Sequence, residues 1–453
     1  MSRNIKNINL IEGNISSTLT KLALPIMGTS FIQMMYNLTD MMWLGRLSTK
    51  AVAGAGTVGF FMWFGMSLVL ISQIGVSVGV SQSYGKGEMD SAREYISSGI
   101  KLDIIIGIIY SSLLLIFRHQ VIGFFNLNDT ETIQLAIDYL VIIAFGFLFH
   151  FINPIYSAIF NASGNSITPF IINTMGLITN IILDPILIFG VGPFPKLGIK
   201  GAAVATIVAQ IVVTSIYILV SRKNKELFSH LHLFKLPKLD YLKRILKLGF
   251  PAFLQSGVHA SISMVLTKIL AKWGSTPVAV QSVGSQIESI SWMTAEGFST
   301  AISAFVGQNY GAENYDRVKE GYYAGLKIVG TIGIFATVLL IFFGEPIFRI
   351  FTPNDAIAIS QGVVYLKILG LSQFFITIEI ASAGAFNGIG RTQIPAIIGI
   401  ILNALRIPGA LILSSTVLGM TGVWWSMSIS TVFKGIILTS LFIYVLRKGL
   451  HTK

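Results

Sequence analysis

The 453-residue sequence contains no cysteine, which removes disulfides, thiolate metal centres and a cysteine nucleophile from consideration. It is also poor in charge. Its 32 basic and 20 acidic side chains make up 11% of the residues, against about 25% in a soluble domain. A chain that is 53% apolar with so few charges cannot cover itself with a water-facing surface. Catalytic signatures are missing as well. There is no GxxxxGK(S/T) loop, no HExxH and no dinucleotide fingerprint, so ATP hydrolysis and zinc-dependent hydrolysis have no motif to use. Residues 1–17 are polar and run straight into the first apolar stretch, so no cleaved leader is expected.

What the chain does have is apolar runs. Stretches of 18 residues or more recur along its whole length, each able to cross a bilayer as a helix. Twelve spans are predicted, at roughly 16–46, 51–83, 94–117, 132–158, 165–191, 197–221, 244–272, 277–309, 318–344, 358–386, 392–416 and 418–446. With both termini placed in the cytoplasm, 21 of the 32 Lys and Arg fall on that side and eight on the other, with three inside spans. This bias predicts a multi-pass protein of the cell (inner) membrane, N-in and C-in. The net charge of +12 is therefore read as a topology signal, and no nucleic-acid partner is expected.

The sequence is also written twice. Leu24-Pro25 returns as Phe250-Pro251, and Gln82-Ser83-Tyr84-Gly85 as Gln308-Asn309-Tyr310-Gly311, at a constant offset of 226. The same offset carries Phe160-Asn161, Gly164 and Pro169 onto Phe386-Asn387, Gly390 and Pro395. Small loop indels then shift it to 223 and 221. Each half holds six spans, an even number, so the repeats must be parallel. The expected fold is an all-α integral membrane protein, with twelve transmembrane helices in two six-helix bundles around a central cleft. The expected divisions are a leading lobe at 1–221, a basic cytoplasmic linker at 222–243 and a second lobe at 244–453. Pro25 and Pro251 each interrupt the first helix of a repeat, as a static kink or as a hinge that reshapes the cleft.

An ionisable group inside an apolar span costs on the order of 2.5–3.5 kcal/mol even on lenient scales, so it normally faces a cavity or a partner. In the first span Gln33, Tyr36, Asn37 and Asp40 recur at i, i+3, i+4 and i+7, one polar stripe. Asp40 lies six residues before Arg46, about 9 Å below the outer helix end. In the fifth span Asn173, Asn180 and Asp184 share a face, and Asp184 reaches a similar depth, as does Thr206 in the sixth. Two carboxylates, an amide and a hydroxyl at one level can hold a small cation or share a proton. The alternative is that the acids only hydrogen-bond between helices. Asp138, Tyr139 and Asn153 of the fourth span extend the polar lining.

The second half lacks this set, with Leu266 at the place of Asp40 and Ile407 at that of Asp184. Its intramembrane polar residues, His259, Glu288, Glu296, Glu379, Arg406 and Lys434, are scattered. A Glu379–Arg406 ion pair is expected among them. Glu288 and Glu296, two turns apart, share a face and could attract cations, while His150 and His259 are expected to be packing residues.

Leu24-Pro25, Asp40-Met41-Met42-Trp43-Leu44-Gly45-Arg46, Asn180 through Asp184-Pro185, and Val306-Gly307-Gln308-Asn309-Tyr310-Gly311-Ala312 together resemble the MATE (multidrug and toxic compound extrusion) transporters, over about residues 15–446. That resemblance implies export of organic, mainly cationic, drug-like compounds in exchange for H⁺ or Na⁺ by alternating access, with no cofactor and no enzymatic step. In its DinF-like branch the coupling residues match Asp40, Asn180, Asp184 and Thr206, which would ligate metal only if the ion is Na⁺. Substrate-lining positions resemble Gln33, Tyr36, Asn37, Tyr139 and Asn153. The NorM-like branch carries a glutamate eight residues after the seventh-helix proline, where this chain has His259. The departure favours the DinF-like pattern. A monomer is expected. The rival readings are a lipid or lipid-linked oligosaccharide flippase of the same superfamily, and a non-transporting membrane receptor or scaffold.

Overall fold

The computed structural model describes residues 7–125, 127, 129–229, 237–353 and 355–450. Positions 230–236, within the expected basic linker, lie outside the described residues. Hydrocarbon offers no partner to an exposed peptide group, so the spanning backbone must satisfy itself, and every long element here is helical. Twelve rods follow one another. They are α1 (Ile15–Leu47), α2 (Thr49–Lys86), α3 (Met89–Ile116), α4 (Thr130–Ala162), α5 (Ile167–Phe189) and α6 (Ile199–Lys223), then α7 (Leu239–Leu270), α8 (Ser275–Gly311) and α9 (Tyr315–Phe342). The tenth, α10, is broken into Ala356–Gly370 and Gln373–Gly388 with a 46° bend. The eleventh, α11, runs Gln393–Ala404 and Arg406–Ser414, and α12 is Thr421–Lys448.

Among the described residues, eight helices are long and apolar enough to cross a membrane, or nine with the bent α10 counted as one span. The other three, α1, α7 and α8, are 33, 32 and 37 residues long but more polar along their length. They are the helices that carry Gln33 to Asp40, His259, and Glu288 with Glu296. A helix that turns part of its surface away from lipid does not need uniform apolarity.

The internal repeat is a repeat of backbone turns. After α4, Asn165 N–H donates to the Phe160 carbonyl at 2.9 Å and Gly164 N–H to Asn161 at 3.1 Å. After α10, Arg391 donates to Phe386 at 2.9 Å and Gly390 to Asn387 at 2.8 Å. Gly164 and Gly390 both adopt left-handed φ, 88° and 77°. This is the helix stop in which the chain folds back on its own last carbonyls, and it requires a residue tolerant of positive φ. The turn after α2 recurs after α8 in the same way, with Gly87 at φ 75° replaced by Glu313 at φ 58°.

The chain divides into two compact units. One comprises residues Met1–Ile8 and Gly28–Phe253, the other Asn9–Met27 and Leu254–Lys453. The chain changes unit at Ile8/Asn9 and then at Met27/Gly28 and Phe253/Leu254, the last two just after Pro25 and Pro251. Within the first unit the start of α7 packs on α2, where a Cβ on Gly249 would overlap the Ile71 carbonyl and one on Gly75 would press on Ile245. Within the second unit the segment before α1 is held by Arg317. Its guanidinium donates to the carbonyls of Leu10 (3.2 Å), Glu12 (2.7 Å) and Gly13 (3.0 Å). The sequence repeat and the packed unit are thus different partitions of the chain, the first read from residue order and the second from which surfaces bury each other.

Two cores stabilise the first unit. One gathers Leu44, Val58, Tyr110, Phe147, Phe151 and Ile188. The other gathers Tyr95, Tyr156, Phe160, Tyr217, Phe228 and Ile245. The second unit centres on Leu266, Phe348, Tyr365, Leu366 and Trp424.

Candidate cation site

The first unit brings four of the sequence-selected residues to one place. Thr206 of α6 donates its hydroxyl to Asp40 Oδ2 of α1 at 3.3 Å. Asn180 donates to Asp184 Oδ1 at 3.2 Å, one turn along α5. The carboxyls of Asp40 and Asp184 lie close enough to interact electrostatically, with Asn180 beside them. Asn180 and Asp184 have no exposure to solvent and Thr206 only 4%. Tyr36 and Tyr139 stand close enough to feel both carboxylates. Gly176 makes room here, since a Cβ at that position would come within 3.0 Å of the Tyr36 hydroxyl.

The site is rich in unmatched acceptors. Asp40 Oδ1, Asp184 Oδ2 and Asn180 Oδ1 are buried acceptors without a hydrogen-bond partner. Among the described residues, neither aspartate forms a salt bridge. Two carboxylates at this separation repel unless a proton or a small cation sits between them. Hard oxygens alone, two of them charged, suit H⁺ or an alkali ion rather than a transition metal. No cluster of three or more His, Cys, Asp or Glu able to hold a metal ion occurs among the described residues.

The remaining selected residues are placed differently. Gln33 and Asn37 are exposed on the stripe of α1 that leads to Asp40, while Tyr139 is buried. Asn153 is buried lower down, with its amide donating to Gln210 Oε1 at 2.7 Å and its oxygen accepting from Thr214 at 2.8 Å. Asp138 is held by Lys200 at 3.1 Å. Pro25 and Pro251 lie inside the helices α1 and α7.

Two features of the first unit were not selected from sequence. A cavity of about 10 Å³, close to the least that holds one water, lies between Thr206, Gln210 and His150. Asp103 of α3 is fully buried and bonded to the Ser72 hydroxyl of α2. Asp103 meets the same criterion as Asp40, an acid inside an apolar span, and was legible on that ground.

In the second unit, hydrocarbon replaces the acid at the position equivalent to Asp40, since Leu266 is 1% exposed in the core. The expected Glu379–Arg406 pair is not what forms. Glu379 pairs with Lys434 of α12 at 2.9 Å, and Arg406 donates instead to Ser430 at 3.2 Å and Thr431 at 2.9 Å. The reason is geometric, because α12 presents Lys434 to α10 and the two hydroxyls to α11. Glu288 accepts from Gln373 at 3.1 Å, and His259 faces Asn403 at 3.4 Å.

Comparison with known proteins agrees with this architecture. The MatE family model matches residues 25–186 and again 251–412, two copies separated by the same offset of 226 found in the sequence. The chain is 32% identical to a probable multidrug resistance protein NorM of Thermotoga maritima, over 93% of this chain and 90% of that protein. It is 26% identical to an FAD transporter of Shewanella oneidensis, over 94% of each. The solved outward-facing structure of a multidrug resistance MATE transporter of the MOP superfamily superposes with a TM-score of 0.90, at 22% identity and full coverage of both chains. With its family model matched twice across more than half of its length, the chain belongs to the MATE family: it is a multi-pass membrane transporter.

Proposed function

We propose that this chain is a secondary active antiporter that exports organic, mainly cationic, drug-like compounds in exchange for H⁺ or Na⁺. The observation that carries the reading is the aspartate pair, half-buried Asp40 and buried Asp184, each with one buried oxygen lacking a partner and neither in a salt bridge among the described residues. Such a pair is stable only while it shares a cation, so its occupancy is a switch that an ion gradient can drive. Asp40, Asn180, Asp184 and Thr206 bind the coupling ion. Gln33, Tyr36, Asn37, Tyr139 and Asn153 line the route of the substrate, with Asn153 acting through Gln210 and Thr214. Coupling in the leading repeat alone corresponds to the DinF-like pattern, and the hydrocarbon at Leu266 supports that choice.

Repeats 1–221 and 244–453, joined by the basic linker at 222–243, act as the two lobes of an alternating-access cycle. Pro25 and Pro251 serve as its hinges, and the charge bias sets both termini in the cytoplasm. A flippase would need a strongly cationic cavity. Arg406 and Lys434 are instead engaged by hydroxyls and by Glu379.

The deciding experiment is efflux of an organic cation from proteoliposomes under separately imposed pH and sodium gradients. Transport driven by one gradient and lost in Asp40→Asn is the expected result. Transport by Asp40→Asn at the wild-type rate removes the site from the mechanism.

A further inference from the structure

Away from the cation site, the first unit carries a groove of about 680 Å³ between α2 and α3. Phe60, Phe64 and Leu68 form one wall, and Ile106, Ile109 and Leu113 the other. Phe64, Ile109 and Leu113 are 43%, 54% and 48% exposed, so the groove is open along one side. No lining residue is charged. The one polar group of the lining side chains, the Tyr110 hydroxyl, already donates to the Phe61 carbonyl at 2.7 Å. The walls therefore favour hydrocarbon and offer a polar ligand nothing to bond.

The length of the groove is informative. From Ile106 to Phe117, α3 advances about 16 Å at 1.5 Å per residue, close to half of the ~30 Å hydrocarbon thickness, which is the depth of one leaflet. At the Phe117 end the chain enters a short helix, Arg118–Gly123, whose Val121 closes the groove. Arg118 and Val121 stand three residues apart on one face of that helix. Arg118 Nη1 donates to the Leu115 carbonyl at 2.8 Å, which pins the guanidinium over the end of α3. Its other nitrogens have no carboxylate partner among the described residues. A cationic fork thus sits at the headgroup end of an apolar slot one leaflet deep.

We propose that this groove binds one acyl chain of an anionic phospholipid whose phosphate is held by Arg118. The chain lies along α3 against the three α2 side chains, and the phosphate takes the remaining guanidinium donors, a pairing that suits a planar fork. The site is separate from the acid pair, so its loss leaves the coupling ion unaffected.

The test is native mass spectrometry of the full chain, purified in detergent and titrated with phosphatidylglycerol, phosphatidylcholine or diacylglycerol. Wild type is expected to keep one phosphatidylglycerol at collision energies that strip the others. Arg118→Ala should weaken that retention about tenfold, the effect of losing a charge-assisted hydrogen bond. Leu113→Trp, at a half-exposed position, should fill the slot and abolish retention of phosphatidylglycerol. Equal phosphatidylglycerol retention by wild type and both variants would overturn the proposal, as would diacylglycerol binding as well as phosphatidylglycerol. Stoichiometric displacement of the lipid by tetraphenylphosphonium would assign the groove to substrate instead, and overturn it too.

Discussion

Thr206 Oγ1 donates to Asp40 Oδ2 at 3.3 Å, joining residues 166 positions apart in the chain. That contact ties α6 to α1 beside Asp184, and under the proposed antiport it makes a hydroxyl part of the ion's coordination shell. Thr206→Val keeps the shape and removes the oxygen. Affinity for the coupling ion should fall about tenfold, in line with one hydrogen bond to a charged group. The half-maximal gradient for efflux in proteoliposomes measures it, and an unchanged value would remove Thr206 from the shell.

Asp40→Asn removes one charge of the pair and with it the need for a shared cation. Gradient-driven efflux should drop to background while the protein still reaches the membrane in normal amount. Immunoblots of membranes beside a drug-susceptibility assay separate the two effects.

Lys434 and Glu379 form a buried pair at 2.9 Å, each with about a tenth of its side chain exposed or less. Lys434→Met leaves the glutamate alone in an apolar surrounding and should destabilise the protein by about 3–5 kcal/mol. Adding Glu379→Gln should recover most of that loss, because no buried charge is then left unpaired. Thermal unfolding in detergent reports both variants, and a double variant as unstable as the single one would argue against the pair.

Glu313 holds φ 58° at the position where the first repeat has Gly87. A left-handed conformation costs a residue with a Cβ about 1–2 kcal/mol relative to glycine. Glu313→Gly should therefore raise the thermal midpoint without changing transport, unlike most substitutions in the chain.

Gly249 faces the Ile71 carbonyl so closely that a Cβ has no room, and the obstacle is backbone. Gly249→Ala should separate α7 from α2 and lower folded yield on size-exclusion chromatography, at a penalty of about 1–3 kcal/mol. Gly257→Ala on the same helix meets nothing within 4 Å and provides the control.

Much of this molecule can be read along the chain. Hydropathy is a local property, and a bilayer leaves an apolar span no option but helix, so the rods from Ile15 to Lys448 follow from residue order. The repeat is equally local. Gly164 and Gly390 end their helices by the same two hydrogen bonds, because a left-handed stop is a short-range device. Helical spacing also set Gln33, Tyr36, Asn37 and Asp40 on one face.

Spacing gives a face but not a neighbour, and that is where residue order stopped. Glu379 meets Lys434 rather than Arg406 because the rotation of α12 against α10 decides which cation arrives. Asp103 meets Ser72, and Asn153 meets Gln210, across helix pairs whose approach depends on the glycines and aromatics between them. The change of packed unit after Pro25 and Pro251 likewise reflects which surfaces bury each other. Residue order determined the class, the number of rods, their turns and the two acids. Tertiary packing alone decided that those acids come together with one oxygen of each, and that of Asn180, unmatched, since partner choice rests on side-chain volumes summed over many residues distant in sequence.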